Sequence, residues 1–463
     1  MRLADLTRLA GADPALAQAL ESTQRSAFWP SCAAESRPIL VAAAYLQQPR
    51  RTLLVTSSYD KALQWQARLH LCGVPSGRIK LLPSGLSVLF EDAAPETVAL
   101  SDRIGALRQL GGQEPGIVIA TPQACLERTL SREQLHDCFI QLEEGDEIDP
   151  NDLRTRLARL GYEVAEPVRV PGQFSKRGGI FDVFPMGFDR PIRLEFFGDE
   201  IESLREFDPM TQRSLRTIGR LELAPSRETL LPEDSAGMVD LIRRSLEQES
   251  AGMEPEKSLT LHELVEGDLS ALEAGVFFNR LDLYRPLLMP DAGCALDLLD
   301  QDGWLVLDEP LEIEAFAARA EEELGQALKA RSGRGEILHS TPNDFVLPPE
   351  HFATASTRLC LTSMNGLPEW LPSGASWEAG TSSLEPYRGQ GAALTQVIER
   401  WLEAGLCVIV GTDQPVRVKE VLKQVNLFPQ EEEIQKLKGG LYLAEGNLAG
   451  GFLWQNQSDE GAK

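Results

Sequence analysis

The stretch Arg177–Ser214, "RGGIFDVFPMGFDRPIRLEFFGDEIESLREFDPMTQRS", decides how this chain is read. Successive strand residues point to opposite faces. In "PIRLEFFGDE" that rule puts Ile192, Leu194 and Phe196 on one side and Arg193, Glu195 and Phe197 on the other. If Phe196 packs inward, Phe197 points out. The run "IFDVF" (Ile180–Phe184) pairs with 192–197 across the Met186–Pro191 loop, which brings Arg177 toward the Phe197 end. Gly178 and Gly179 signal close backbone approach or a bulge. Arg193 and Phe197 are four strand residues apart, about 13 Å along one surface. An outward aromatic with an arginine on the same face is the composition of a binding hot spot. The plainer alternative is an ordinary sheet with a solvated charged face, or one buried on both faces between domains.

Working outward, the chain has 463 residues, 43% of them hydrophobic. Single cores stop growing at roughly 250–300 residues, so more than one domain is expected. The formal net charge of −25 weighs against a duplex-DNA binder that relies on phosphate contacts, and favours a protein partner with a basic surface. The seven cysteines (Cys32, Cys72, Cys125, Cys138, Cys294, Cys360, Cys407) form no C-x-x-C pair and read as reduced and buried. The five histidines show no metal-ligand spacing, and no metal is expected. The first residues lack the long apolar core of a signal peptide and no run approaches about 18 apolar residues, so no leader and a soluble, cytoplasmic protein are expected.

The first third alternates short apolar strands and helices. Thr52–Thr56 reads as a buried strand, followed by a helix capped at Ser57 or Ser58 and ending near Gly73. Ser101 reads as the cap of a helix with Ile104, Leu107 and Leu110 on one side. Ile117–Ala120 reads as a strand, with Thr121 and Pro122 opening the next helix. Such alternation argues for a parallel α/β sheet. Near residue 140 the texture changes. Asp149 caps a compact helix with a Leu153, Leu157, Leu160 stripe, and Val164–Leu221 reads as a small antiparallel sheet on which that helix packs. From about 224 an α/β texture returns, and the loop-rich segment before 355, with Pro348 and Pro349, reads as a boundary. "CVIVGTDQPVRVKEVLKQV" is a strand, a turn and a helix. The expected architecture is a degenerate helicase-type, P-loop-like α/β domain (1–138 and 223–354), an inserted α+β domain (139–222) and a small C-terminal α/β domain (355–463).

An α/β domain of this kind invites a phosphate-binding loop, which needs glycines whose N–H groups wrap phosphates, a lysine and a magnesium-binding hydroxyl. "WPSCAAESRPILVAAAYL" (29–46) has no G-x-x-x-x-G-K-[ST], and its loop has neither glycine nor lysine. Glu35, Ser36 and Arg37 stand where Lys-Thr would fall, and Glu35 would repel a triphosphate. "LVLDEP" (Leu305–Pro310) reads as a strand end and helix cap rather than a magnesium site. No cofactor, no catalytic residue and no ATP hydrolysis are expected.

"PGQFSKRGGIFDVFPMG" followed by "PIRLEFFGDEIESLREFDPMTQRS" resembles the signature shared by the nucleotide-excision-repair protein UvrB and the bacterial transcription-repair coupling factor (Mfd). "SDRIGALRQL", "GDEIDPNDLRTRLARLGYEV" and "LVLDEP" resemble the coupling factor's N-terminal region. The likeness covers most of residues 30–310. UvrB proper carries an intact phosphate loop and a long aromatic-rich hairpin; the matching stretch here is short, with Phe90 its one aromatic. The resemblance implies a non-catalytic module whose inserted domain binds the excinuclease component UvrA through Arg177, Arg193 and Phe197. It also implies a module ending before the RNA-polymerase-interacting domain and translocase motor of a complete coupling factor, through which RNA polymerase and DNA would be met. Two rivals follow from the same residues. One is a UvrB-like ATP-dependent repair helicase. The other binds DNA directly through Arg177, Arg190, Arg193, Arg205 and Arg213, although Asp182, Asp189, Glu195, Asp199 and Glu202 interrupt that basic set.

Overall fold

Strand Trp304–Asp308 is buried along its whole length, as a strand covered on both faces must be. It lies in the middle of a seven-stranded sheet in the computed structural model, which describes residues 1–13, 16–17, 26–86, 97–232, 234–364, 366–372, 374–387, 391–431, 438–448 and 450–455. The strand order is Ala375–Ser376, Ser26–Trp29, Arg358–Leu361, Trp304–Asp308, Arg51–Thr56, Gly116–Ala120, Ile79–Leu82. Every neighbouring pair is parallel. On one face Leu54, Ile119 and Val306 pack with Ile39, Leu40 and Val41 of helix Arg37–Gln47 and with Trp65 and Leu69 of helix Tyr59–Leu71. On the other face Leu53, Val55, Val118 and Leu305 pack with Leu107 and Leu110 of helix Thr97–Gly111. The α/β scaffold is the one expected. Ser58 and Thr121 are the caps, accepting from the N–H groups of Lys61 and Ala124. Ser101 is not a cap, because its helix begins at Thr97.

The second sheet has six strands in the order Ser214–Thr217, Glu200–Phe207, Ile192–Phe197, Ile180–Phe184, Gln173–Arg177, Glu163–Val164. All neighbours are antiparallel except the last pair. Asp149 caps helix Pro150–Arg159 by accepting from the Asn151 N–H at 2.7 Å, and Leu153 and Leu157 bury against Phe174, Phe181, Ile192 and Leu194. Arg220–Leu223, read as part of this sheet, pairs instead with Ile140–Glu143. The chain therefore enters and leaves the inserted unit on two adjacent antiparallel strands. The insert shares one continuous apolar cluster with the scaffold, so it is fixed to the main sheet by burial as well as by this stalk.

The expected division at 354/355 is corrected. Arg358–Leu361 is an interior strand of the main sheet, flanked by Ser26–Trp29 and Trp304–Asp308. The proline-rich run before it is a surface connection whose Phe345 and Phe352 plug the scaffold. Residues from 224 are also more helical than expected: Ser235–Ser250 and Pro255–Glu273 form a helical pair with its own core. The separate C-terminal unit consists of helices Gly391–Glu403 and Pro415–Gln424 around the parallel strands Cys407–Thr412 and Gly440–Glu445. The start of the chain docks on it: the Glu445 N–H donates to the Met1 carbonyl at 2.8 Å. Six cysteines are buried and Cys407 is exposed; none is paired. No helix among the described residues is long and apolar enough to cross a membrane. Phe90 and the polar tail lie outside the described residues.

An ionic network with Arg103, Glu127, Glu228 and Arg285 buried at its centre joins the scaffold to the chain leaving the insert. Arg103 donates to both oxygens of Glu228, at 2.6 and 3.1 Å. Arg285 donates to Glu127 at 3.2 Å and to Asp282 at 3.0 Å, and the Gly85 N–H donates to Glu127. Burial opposes the charge on Glu228, but Arg103 and Arg285 outweigh it and hold the carboxyl down at about 2. Breaking a buried pair by removing one partner leaves an uncompensated charge. Arg103→Met is therefore expected to cost about 3–5 kcal/mol in urea unfolding. The pH dependence has a definite sign. The folded Glu228 carboxyl lies below its unfolded value of about 4.3, so its stabilisation is complete above that value and is lost as pH falls toward 2. The stability difference between wild type and Glu228→Gln should shrink across that window.

Candidate functional site

Two hairpin turns lie side by side at one end of the six-stranded sheet. Gly178–Gly179 joins Arg177 to Ile180, and Gly198–Asp199 joins Phe197 to Glu200. Gly178 and Gly198 have φ of +59° and +65°, a left-handed conformation that favours glycine. Gly179 is required for a different reason: a Cβ there would meet the Phe196 carbonyl oxygen at 2.8 Å. The second turn is buttressed from behind, since the Ile148 N–H donates to the Asp199 carbonyl and the Gly145 N–H to that of Ile201. The tip is thus held rigidly although its side chains face solvent.

The strand alternation holds. Phe196 packs inward, edge-on to Phe181, whereas Phe197 is 74% exposed. Two cross-strand rows organise the outer face. Arg177, Ile180, Glu195 and Ser203 form the row nearer the tip. Ser175, Asp182, Arg193 and Arg205 form the next. Arg177 is 62% exposed and pairs with the equally exposed Glu166. Its position at the Phe197 end agrees with the expected register.

Arg193 is on the expected face but is not free. Its Nε and a terminal nitrogen donate to the two oxygens of Asp182 at 2.7 and 2.8 Å. Its guanidinium stacks 4.7 Å from the centre of the Phe207 ring, and the side chain is only 19% exposed. The Asp182 hydrogen bonds hold the guanidinium above the usual arginine range. The structure therefore brings Arg177 and Phe197 to one tip and places Arg193 a row below them, engaged within the sheet. Asp182 was legible as its partner only once the register of Ile180–Phe184 on Ile192–Phe197 was fixed. Glu195 is likewise engaged, accepting from Ser203 at 2.8 Å and lying 3.4 Å from Arg205.

The other candidate region is the end of strand Trp304–Asp308. Arg37 reaches it from the first turn of its buried helix and fills it. Its guanidinium donates to Asp308 at 2.5 Å, to Glu309 at 2.6 Å, to Ser363 Oγ at 2.8 Å and to the Cys32 carbonyl. Thr56 and the Trp65 indole donate to the other Asp308 oxygen. Burial opposes the charge on Arg37, but Asp308 and Glu309 keep its guanidinium above the usual arginine range. Glu309 is the residue preceding helix Pro310–Gly333, as expected, but its side chain serves Arg37 and Ser363 rather than the helix N–H groups.

One group of possible metal ligands occurs among the described residues: Cys294, Asp297 and His351, with one ligand atom each within 4.8 Å of the others. Their mutual bonds account for the grouping. Asp297 accepts from the Cys294 N–H as a helix cap and pairs with His351 at 2.8 Å. Burial raises the Cys294 thiol, which opposes the thiolate a metal would need.

Residues 140–228 match the UvrB interaction domain family. The transcription-repair-coupling factor of Bacillus subtilis (strain 168) is 25% identical over 377 residues, 78% of this chain and 31% of that protein. That of Escherichia coli (strain K12) is 33% identical over 154 residues, 33% of this chain and 13% of that protein. The UvrABC system protein B of Synechococcus sp. (strain JA-2-3B'a(2-13)) is 32% identical over 218 residues, 45% of this chain and 31% of that protein. The chain thus spans a third or less of these relatives. The exposed tip lies inside the matched domain. Over most of its length the chain is accordingly similar to part of transcription-repair-coupling factors, and its residues 140–228 match the UvrB interaction domain family.

Proposed function

We propose that this chain is a non-catalytic recruitment module that docks the excinuclease component UvrA and so brings it to stalled transcription complexes in nucleotide excision repair. The observation that carries this reading is an aromatic exposed on a rigid tip of a UvrB interaction domain: Phe197 faces water where nothing in the sheet's own packing requires it. Aromatics and arginines dominate binding hot spots. Arg177, two strands away at the same end of the sheet, holds an exposed ion pair, which is worth little and can be exchanged for a partner's carboxylate. An overall charge of −25 suits a protein partner better than a phosphate backbone. Titration calorimetry against UvrA tests the reading. Phe197→Ala is expected to lose about 2 kcal/mol, roughly 30-fold in affinity, with unchanged thermal stability. Equal binding by wild type, Phe197→Ala and Arg177→Ala would place the contact elsewhere.

The scaffold is proposed to work without ATP. The glycine-free loop supplies no cradle for phosphates, and Arg37 already neutralises the acidic strand end that would otherwise hold a metal. Equilibrium titration with labelled ATP should show no saturable binding. Turnover abolished by Asp308→Asn would overturn this proposal. Arg37→Ala, which strands Asp308 without its counter-ion, is expected to cost about 3–5 kcal/mol of folding stability, read from the urea midpoint.

A further inference from the structure

Resting on that reading of the tip, we infer that Ile180 is a second apolar anchor for UvrA beside Phe197, and that Arg193 is a positioning residue rather than a contact. The argument begins with what each side chain is free to do. Ile180 closes the first hairpin opposite Arg177 and stands next to Glu195. It is 40% exposed, on the outward face where its row neighbours are charged or hydroxylated. Phe197 is two residues along the adjacent strand from Glu195. The two apolar side chains are thus diagonal neighbours on one face, about 7–8 Å apart at Cα, within reach of an aromatic ring. The tip presents two exposed apolar side chains on one face, with one exchangeable arginine across the first hairpin from Ile180. Its complement is a shallow apolar cleft with a carboxylate at its rim.

Arg193 is built otherwise. Both oxygens of Asp182 are used on it, and Asp182 is itself buried. Drawing Arg193 toward a partner would leave that carboxylate without its counter-ion in a site water barely reaches. Arg193 also stands directly opposite Arg205 in the ladder. Like charges in that position repel, and here each is neutralised separately, Arg193 by Asp182 and Arg205 by Glu195. The pair ties Ile180–Phe184 to Ile192–Phe197, and Arg193 covers the Phe207 ring of the next strand. It thereby fixes the strand that carries Phe197. Arg193 acts on docking through that strand.

The two roles separate in titration calorimetry of the full chain against UvrA. Ile180→Asp, on an exposed position, should leave the unfolding transition in place and weaken binding at least tenfold, and Ile180→Ala several-fold. Asp182→Asn should weaken binding as much as Arg193→Ala does. The exchanged pair Asp182→Arg with Arg193→Asp should restore most of the affinity, since the lock is rebuilt with its charges reversed. Wild-type affinity in Ile180→Asp would overturn the anchor. Unchanged or tighter binding by Asp182→Asn, with Arg193→Ala impaired and the exchanged pair not rescued, would make Arg193 a direct contact and overturn its positioning role. Failure of the wild-type chain to bind UvrA would overturn the docking reading itself, and this inference with it.

Discussion

The ionic network of Arg103, Glu127, Glu228 and Arg285 is the constraint on which the architecture depends. Apolar burial holds the scaffold and the inserted sheet together in one cluster, but burial has no preferred direction. The network supplies the direction. It joins the helix at Thr97–Gly111, the turn after Leu126, the chain returning from the insert at Glu228, and the segment around Arg285. Four charges without water are tolerated only when each finds a partner in good geometry. That demand restricts how these four segments can meet.

A second buried arginine gives the scaffold its character. In a nucleotide-binding α/β domain, the acidic end of a central strand faces a phosphate loop and a metal ion. Here Arg37 satisfies Asp308 and Glu309 from within the chain, with Thr56, Trp65 and Ser363 completing the hydrogen bonds. The fold of a helicase-type domain is kept while its charges are balanced internally. Its proposed task is then to carry another domain in a fixed orientation.

That carried domain exposes what most sheets conceal. A lone exposed aromatic costs little stability, and on a rigid tip it loses little further freedom on binding. The glycines of the two turns allow Arg177 and Phe197 to reach the same end of the sheet. The segment around Ile148 prevents the second turn from yielding. Rigidity behind and exposure in front are the two conditions a recruitment surface needs.

Much of this was legible in the residues themselves. Alternation in "PIRLEFFGDE" placed Phe197 outward, because the two-residue period of a strand is local geometry. The lack of glycine and lysine in the loop before Arg37 was equally plain in the sequence, and it is what the ATP-independent reading proposed above starts from. The resemblance of 171–214 to UvrB-type sequences pointed to the domain that the family comparison matches. Other features depended on contacts between residues far apart in the chain. Arg193 reads as a free arginine until the register sets it against Asp182 and the fold lays it over Phe207. Arg37 reads only as part of the Glu35-Ser36-Arg37 run that stands where Lys-Thr would fall, until Asp308, 271 positions away, arrives beside it. Arg358–Leu361 reads as the start of a new unit, and only the completed sheet shows it as an interior strand. Local sequence determined which way side chains face along a strand; tertiary structure decided which charges are already spoken for, because electrostatic pairing acts through space and not along the chain.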